Sequence, residues 1–212
     1  MARKVPVFLE PTKDRKIAVF GGGMVAYRKC RQFEGFDITV IADRTVPEMD
    51  SVCDRIVLAH FDPSDLDQYL EGVFIAVAAT DSKALNAAIT ETAKKHGCLV
   101  NSAHGGGDVL LPSSVRKENY TVAVSSEGSV PAFPPYVAKM IDGFLGPEYD
   151  LMMELLKTLR KDLKEIVSQQ PRRAEFLAEV LDSEEVWDAL RAGDSGKAMG
   201  IALSIQAKYI DL

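Results

Sequence analysis

The alternation of apolar and polar positions divides the chain into a strand-rich front half and a helical tail. Ile17 to Phe20 is a short apolar, β-prone run that stops at Gly21, Gly22 and Gly23. Ala26, Cys30 and Phe33 then recur at helical spacing, and Gly35 is placed to close that helix. The pattern therefore predicts strand, tight turn and helix in succession. Asp37 to Ala42 reads as a second strand and Arg55 to Ala59 as a third. Asp62 to Asp65 opens a short helix with Leu66, Tyr69 and Leu70 on one face. Val73 to Ala79 is apolar throughout, as expected of a strand buried on both faces of a parallel sheet. Thr80, Asp81 and Ser82 supply caps for a helix whose inner face carries Leu85, Ala88, Ile89 and Thr92, and Gly97 ends it. Cys98 to Val100 is the next strand. It delivers Asn101 to the carboxyl edge, where open α/β sheets bind ligands.

Beyond Asn101 the pattern changes. His104 to Asp108 reads as a flexible, polar loop, and Leu110 to Pro112 and Tyr120 to Ser125 as strands of another kind of pairing. Strands this short and isolated make no stable sheet alone, so we expect them to pair with a second copy of the chain. Ser125 to Pro131 is turn-rich, Pro134 and Pro135 break or start the next element, and a helix is expected around Tyr136 to Phe144. After Gly146 and Pro147, Met152, Leu155, Leu159, Leu163 and Ile166 form a helical stripe. Phe176, Leu177, Val180 and Leu181, then Val186, Trp187 and Leu190, continue it, with Pro171 and Gly193 as separators. The stripe reads as helix-packing core. The fold class is thus α/β, a doubly wound parallel sheet followed by a smaller α+β region and a helical tail. The boundaries fall at 1–112, 113–146 and 147–212.

The glycines carry the clearest chemistry. Gly21-x-Gly23-x-x-Ala26 fits the dinucleotide-binding turn, in which the first glycine permits the tight turn and the second lets backbone approach a pyrophosphate. The helix that opens there aims its N–H groups and positive dipole end at phosphate. Asp43 follows the second strand, about twenty positions after Gly23, where a carboxylate accepts hydrogen bonds from an adenosine ribose and favours NAD over NADP.

Composition narrows the class. With 47% apolar and 26% charged residues, the 212-residue chain is ordinary for a globular protein. No apolar run approaches membrane-spanning length, and the first residues lack a signal-peptide pattern. Cys30, Cys53 and Cys98 are odd in number and far apart, so they read as thiols in a reducing cytoplasm with no metal-ligand spacing. A net charge of −6 argues against nucleic acid, and a polyanionic substrate would need a local basic patch.

Several strings occur in an order that resembles one family. They are Gly21 to Lys29, Ala78 to Asp81, Val100 with Asn101, Leu111 to Ser113, and Val122 to Ser126 followed by Pro131 and Ala132. The chain is similar over nearly its whole length to the precorrin-2 dehydrogenase/sirohydrochlorin ferrochelatase family, the N-terminal module of siroheme synthase. The resemblance implies a Rossmann domain, a dimerisation region and a helical domain. It implies oxidation of precorrin-2 to sirohydrochlorin with NAD, in some members also insertion of ferrous ion, and a homodimer. It places Gly21, Gly23, Met24, Val25, Asp43, Thr80, Asp81 and Asn101 around NAD. Ser125 and Ser126 match a Ser/Thr pair whose second member lies near the tetrapyrrole in the family, and they read equally well as turn-capping hydroxyls; Ser102 is a further substrate candidate.

Departures from the family leave its acid/base residue open. The family reads Asn-Val-Val-Asp where this chain has Asn101, Ser102, Ala103 and His104. Counting from Asn101 puts His104 on the catalytic position, and counting back from Leu111 and Pro112 puts Ser102 there. Imidazole is a competent proton acceptor near neutral pH, and Asp108 is a competing or cooperating base. Pro134 and Pro135 replace a segment in which the family carries an arginine, so substrate contacts there do not transfer. Arg28 and Lys29 could reach acidic groups or form a solvated helix face. Arg116, Lys117 and Lys139 are candidates for substrate carboxylates, and His60 and His96 are given no chemistry. Two other readings remain, a chelatase without dehydrogenase activity and a nucleotide-sensing regulatory module.

Overall fold

Strand β1 (Lys16–Phe20) runs through the middle of a five-stranded parallel sheet in the computed structural model, which describes residues 4–210. The other strands are β2 (Asp37–Ala42), β3 (Arg55–Leu58), β4 (Val73–Ala78) and β5 (Leu99–Ser102), in the order β3-β2-β1-β4-β5. Ile17 lies opposite Ile38 on one side and Ile75 on the other. Consecutive strands step outward from β1 first one way and then the other, so the carboxyl ends of β1 and β4 form a topological switch point.

Period-two alternation decides what each face buries. Ile17, Val19, Ile38, Val40, Ile75 and Val77 pack against Ala26 and Cys30 of α1 (Met24–Cys30) and against Phe33. Ala18, Phe20, Ala76 and Ala78 face the other way. They pack with Leu66, with Leu70 of α2 (Asp67–Leu70) and with Ile89 and Ala93 of α3 (Lys83–Lys95). At about 1.5–3 kcal/mol per buried aliphatic side chain, either face provides ample reason for the register. This is a doubly wound, Rossmann-like sheet. Helix α1 is shorter than its glycine boundary suggests: it ends at Cys30, and a 3₁₀ turn, Arg31–Phe33, carries Phe33 inward. The inner face of α3 is Asn86, Ile89, Thr90 and Ala93, with Leu85, Ala88 and Thr92 only half-buried along its flank.

The chain separates into two compact units, Met1–Leu111 and Pro112–Leu212. The second opens with a hairpin of β6 (Ser113–Arg116) and β7 (Thr121–Val124), antiparallel, with Val115 opposite Val122. The first of these strands begins after Pro112 rather than ending at it, because proline has no N–H to give a ladder. The two strands pair with each other within the chain, contrary to the expectation that each needs a second copy. Helix α4 (Phe133–Phe144) starts at the proline pair and turns Pro134 and Ala138 inward.

Helices α5 (Pro147–Ile166), α6 (Gln170–Asp182), α7 (Glu184–Arg191) and α8 (Ser195–Gln206) enclose a separate core. That core is built from Met152, Leu155, Leu159, Leu163, Phe176, Val180, Val186, Leu190, Ala198 and Ala202. Ser183 and Asp194 cap α7 and α8 by accepting from Val186 N–H and Lys197 N–H. Leu181, placed on the apolar stripe by spacing, stays exposed. Among the described residues no helix is long and apolar enough to cross a membrane, and no His, Cys, Asp and Glu cluster could hold a metal ion. All three cysteines are free thiols.

Candidate functional site

The three glycines at the switch point do different work. Gly21 has φ +117°, a region L side chains rarely adopt, and a Cβ on it would lie 2.4 Å from the Ala79 carbonyl oxygen. A Cβ on Gly22 would meet the Arg44 carbonyl oxygen. Backbone bonds tie these turns together: Gly21 N–H donates to Ile41 O at 2.9 Å and Val46 N–H to Gly22 O at 2.9 Å. Gly23 is different. Its φ of −83° suits any residue, and a Cβ there would touch nothing within 4 Å. Packing asks for glycine at the first two positions, whereas the third leaves open space before α1.

That space has the polarity an anion needs. Gly23 is the N-cap of α1 and no side chain caps the helix, so its first N–H groups are available. Met24 and Val25 are about half exposed in this first turn. Asp43 follows β2 as an exposed residue whose carboxylate has no partner among the described residues. The bond from Val46 to Gly22 holds its loop against the glycine turn. Open space beside free N–H groups, and an unpaired carboxylate nearby, are the features that the pyrophosphate and ribose of a dinucleotide require. Asp81 is also exposed and unpaired among the described residues.

Across the switch point, the buried Asn86 joins Thr80 to His104. Its Oδ1 accepts from Thr80 N–H at 3.0 Å and from the Thr80 hydroxyl at 2.8 Å. Its Nδ2 donates to Thr80 O at 2.9 Å and lies 2.8 Å from His104 Nδ1. His104 is otherwise exposed, with its own N–H donating to Ser102 Oγ at 3.3 Å. The segment after it folds back on β5: Asp108 N–H and Val109 N–H both donate to Val100 O, at 2.7 and 2.9 Å. Gly107 makes this return feasible, since a Cβ there would lie 2.4 Å from that same oxygen. The Asp108 carboxylate stands 3.4 Å from Lys94 Nζ, both being partly exposed.

Asn101 is buried and occupied by the protein itself. Its Nδ2 donates to Val109 O at 2.8 Å, and its Oδ1 accepts from Lys29 Nζ. Lys29 thus reaches inward from α1 instead of forming a solvated face, and burial pushes its ammonium below the ordinary lysine range. Among the described residues it has no carboxylate partner.

The structure gathers Gly21, Gly23, Met24, Val25, Asp43, Thr80, Asp81, Asn101, Ser102, His104 and Asp108 in the first unit, on the end of β5, the first turn of α1 and the loops at the carboxyl edge of its sheet. Ser125 and Ser126 belong to the second unit, and both hydroxyls shape a turn. Ser125 Oγ accepts from Glu127 N–H at 3.0 Å, and Ser126 Oγ donates to Val130 O at 3.0 Å. Lys117 pairs with Asp142 at 2.8 Å, which raises its pKa, and Lys139 is exposed. His96, at the C-terminus of α3, lies 2.7 Å from Asp67 at the start of α2. Asn86, Gly107 and the inward reach of Lys29 escaped the sequence reading. Helical spacing from Ile89 could have found Asn86, which stands one turn before it on the buried face.

Comparison with known proteins agrees with this geometry. A family profile described as putative NAD(P)-binding matches residues 7–113. The precorrin-2 dehydrogenase of Methanosarcina barkeri is 32% identical over 97% of this chain and 95% of that protein. The siroheme synthase of Photobacterium profundum is 29% identical over 84% of this chain but only 39% of its own length. The chain therefore spans nearly all of the first relative and about two-fifths of the second. The solved structure of SirC, precorrin-2 dehydrogenase, superposes with a TM-score of 0.69 over 94% of this chain and 100% of that one, at 22% identity, a likeness of fold. On the profile match and the near full-length relative together, this chain belongs to the precorrin-2 dehydrogenase family.

Proposed function

We propose that this protein oxidises precorrin-2 to sirohydrochlorin with NAD, a step in siroheme and modified tetrapyrrole biosynthesis. One observation carries the cofactor half of the reading. Gly23 is left open by its own protein beside an unpaired Asp43, in a chain aligned along nearly its whole length with a precorrin-2 dehydrogenase. NAD, when bound, supplies the acceptor for a hydride.

The chain's own residues do the rest. The glycine turn and the first N–H groups of α1 hold the pyrophosphate, and Asp43 accepts from the ribose. Met24, Val25, Thr80, Asp81 and Asn101 shape the rest of the cofactor's surroundings. Loss of hydride must be matched by loss of a proton, and the segment after β5 brings two polar groups to the substrate, His104 and Asp108, of which at least one accepts it, with Ser102 beside them. Ser125 and Ser126 are assigned to the substrate, and Arg116, Lys117 and Lys139 to its carboxylates.

We assign residues 113–146 to dimerisation and substrate binding and 147–212 to a helical domain. Phe133, Tyr136, Met140 and Phe144 form an outward stripe on α4, exposed at 57, 63, 60 and 72%. Such a stripe, next to the open edges of a two-stranded sheet, suits a second copy of the chain. The free thiols fit the reducing cytoplasm, and burial pushes the Cys30 thiol up to about 12.

Absorbance tests the whole reading. Precorrin-2 and NAD should yield NADH and the sirohydrochlorin spectrum together. A further spectral change on adding ferrous ion would extend the reaction to metal insertion. No NADH with authentic precorrin-2 would overturn the assignment.

A further inference from the structure

Asn86 is fully buried, yet its amide is saturated with hydrogen bonds, and they leave no choice of orientation. The Thr80 N–H can only donate and the Thr80 carbonyl can only accept. Oδ1 must therefore face the first and Nδ2 the second. A flipped amide would set N–H against N–H and oxygen against oxygen in a buried place, costing about 1–3 kcal/mol for each unsatisfied group. The nitrogen that stands 2.8 Å from His104 Nδ1 is thus a donor without acceptor capacity. His104 Nδ1 must meet it with a lone pair. In neutral imidazole the single proton then resides on Nε2, which has no partner among the described residues.

We infer that Asn86 is a positioning residue that locks His104 as the Nε2–H tautomer, so that the imidazole meets the substrate as a hydrogen-bond donor and not as a proton acceptor. This rests on the reading of the His104 loop as the substrate site. Taking up a proton would require Nδ1, and would set two donors face to face against Asn86. An acceptor oxygen on the substrate, such as a side-chain carboxylate of the tetrapyrrole, suits the outward N–H. The proton lost during oxidation then goes to the Asp108 carboxylate, the acceptor that the same loop offers. The amide that sets the tautomer also grips the Thr80 backbone, so one side chain aligns the β4 end of the cleft with the loop after β5.

The tautomer is read directly from long-range ¹H–¹⁵N spectra of the full-length protein at alkaline pH, with His104 identified by the signals missing in His104→Gln. Wild type should show a pyridine-like Nδ1 and a protonated Nε2 without averaging. Asn86→Asp places an acceptor against Nδ1 and should switch the ring to Nδ1–H, whereas Asn86→Ala should give averaged signals. An averaged or Nδ1–H ring in wild type, or an unaltered ring in a folded Asn86→Asp protein, would overturn the inference.

Kinetics supply the second arm. Gln retains a donor without a basic nitrogen, so His104→Gln should lose the least activity. His104→Asp should lose roughly 10²-fold or more, as removal of a positioned donor does. The reverse order would restore the proton-acceptor role. If wild type itself fails to oxidise precorrin-2, the functional reading falls while the spectra still decide the tautomer.

Discussion

A Cβ on Gly22 would lie 1.9 Å from the carbonyl oxygen of Arg44, while one on Gly23 would touch nothing. The two neighbours should therefore respond oppositely to substitution. Gly22→Ala forces the Arg44 backbone to move and should lower unfolding stability by about 1–3 kcal/mol, the usual cost of overpacking. Gly23→Val should unfold at the wild-type urea midpoint but lose NAD binding, because its side chain would fill the space we assign to the pyrophosphate. Wild-type nucleotide affinity in folded Gly23→Val would count against the loop as a phosphate site.

We propose that Asp43 sets the cofactor preference. A 2′-phosphate would meet its carboxylate, so calorimetric titration should show tighter binding of NAD than of NADP. Asp43→Ala should weaken NAD by about 10- to 150-fold, in line with about 1.5–3 kcal/mol for hydrogen bonds to a charged group, and should narrow the gap to NADP. Equal or tighter NADP binding by wild type would refute the role.

The exposed stripe on α4 leads to a prediction about assembly. Sedimentation should find a homodimer, and Met140→Asp should shift it towards monomer with helical content intact, since a charge at an apolar contact is costly. An active wild-type monomer at micromolar concentration would exclude the stripe as an obligatory interface.

Asp54 should contribute pH-dependent stability. It accepts from Ile38 N–H at 2.8 Å and from Lys13 Nζ at 2.5 Å, and these bonds, the Ile38 one foremost, hold its carboxyl below the ordinary range. A depressed folded-state pKa means that the contribution is full above the ordinary carboxylate range and is lost as pH falls through the folded value. The side chain is 39% exposed, so solvent screening limits its ion pair to under about 1 kcal/mol. Urea midpoints of wild type and Asp54→Asn should differ at neutral pH and converge in acid. A gap that persists undiminished into strong acid would show another origin.

The parts of the fold that sequence revealed are those in which one physical cause acts alone. β4 was legible because a strand buried on both faces must be apolar throughout, and the glycine turn because backbone approach excludes side chains. Asn86 was hidden because a polar residue on a helix reads as surface until its partners, six and eighteen positions away, are known. The inward turn of Lys29 was hidden for the same reason, its amide partner being seventy-two positions distant. The small residues Ala198 and Ala202 gave α8 too weak a stripe to see. At the candidate site, the chemical types were visible in sequence, but the hydrogen-bond direction that assigns a proton to one nitrogen needed coordinates.

The sheet's two apolar layers and the helical bundle's interior are built from separate sets of residues. Unfolding is therefore not bound to be all-or-none, and a single melting temperature would mix two events. Heat or urea could dissolve the half that grips the cofactor while the bundle stays intact, or the reverse. NAD should raise only the transition of the sheet, which makes ligand-dependent melting a way to tell the halves apart. Inactivation by a distant substitution would then report which half has come undone, and helical signal alone would overlook it.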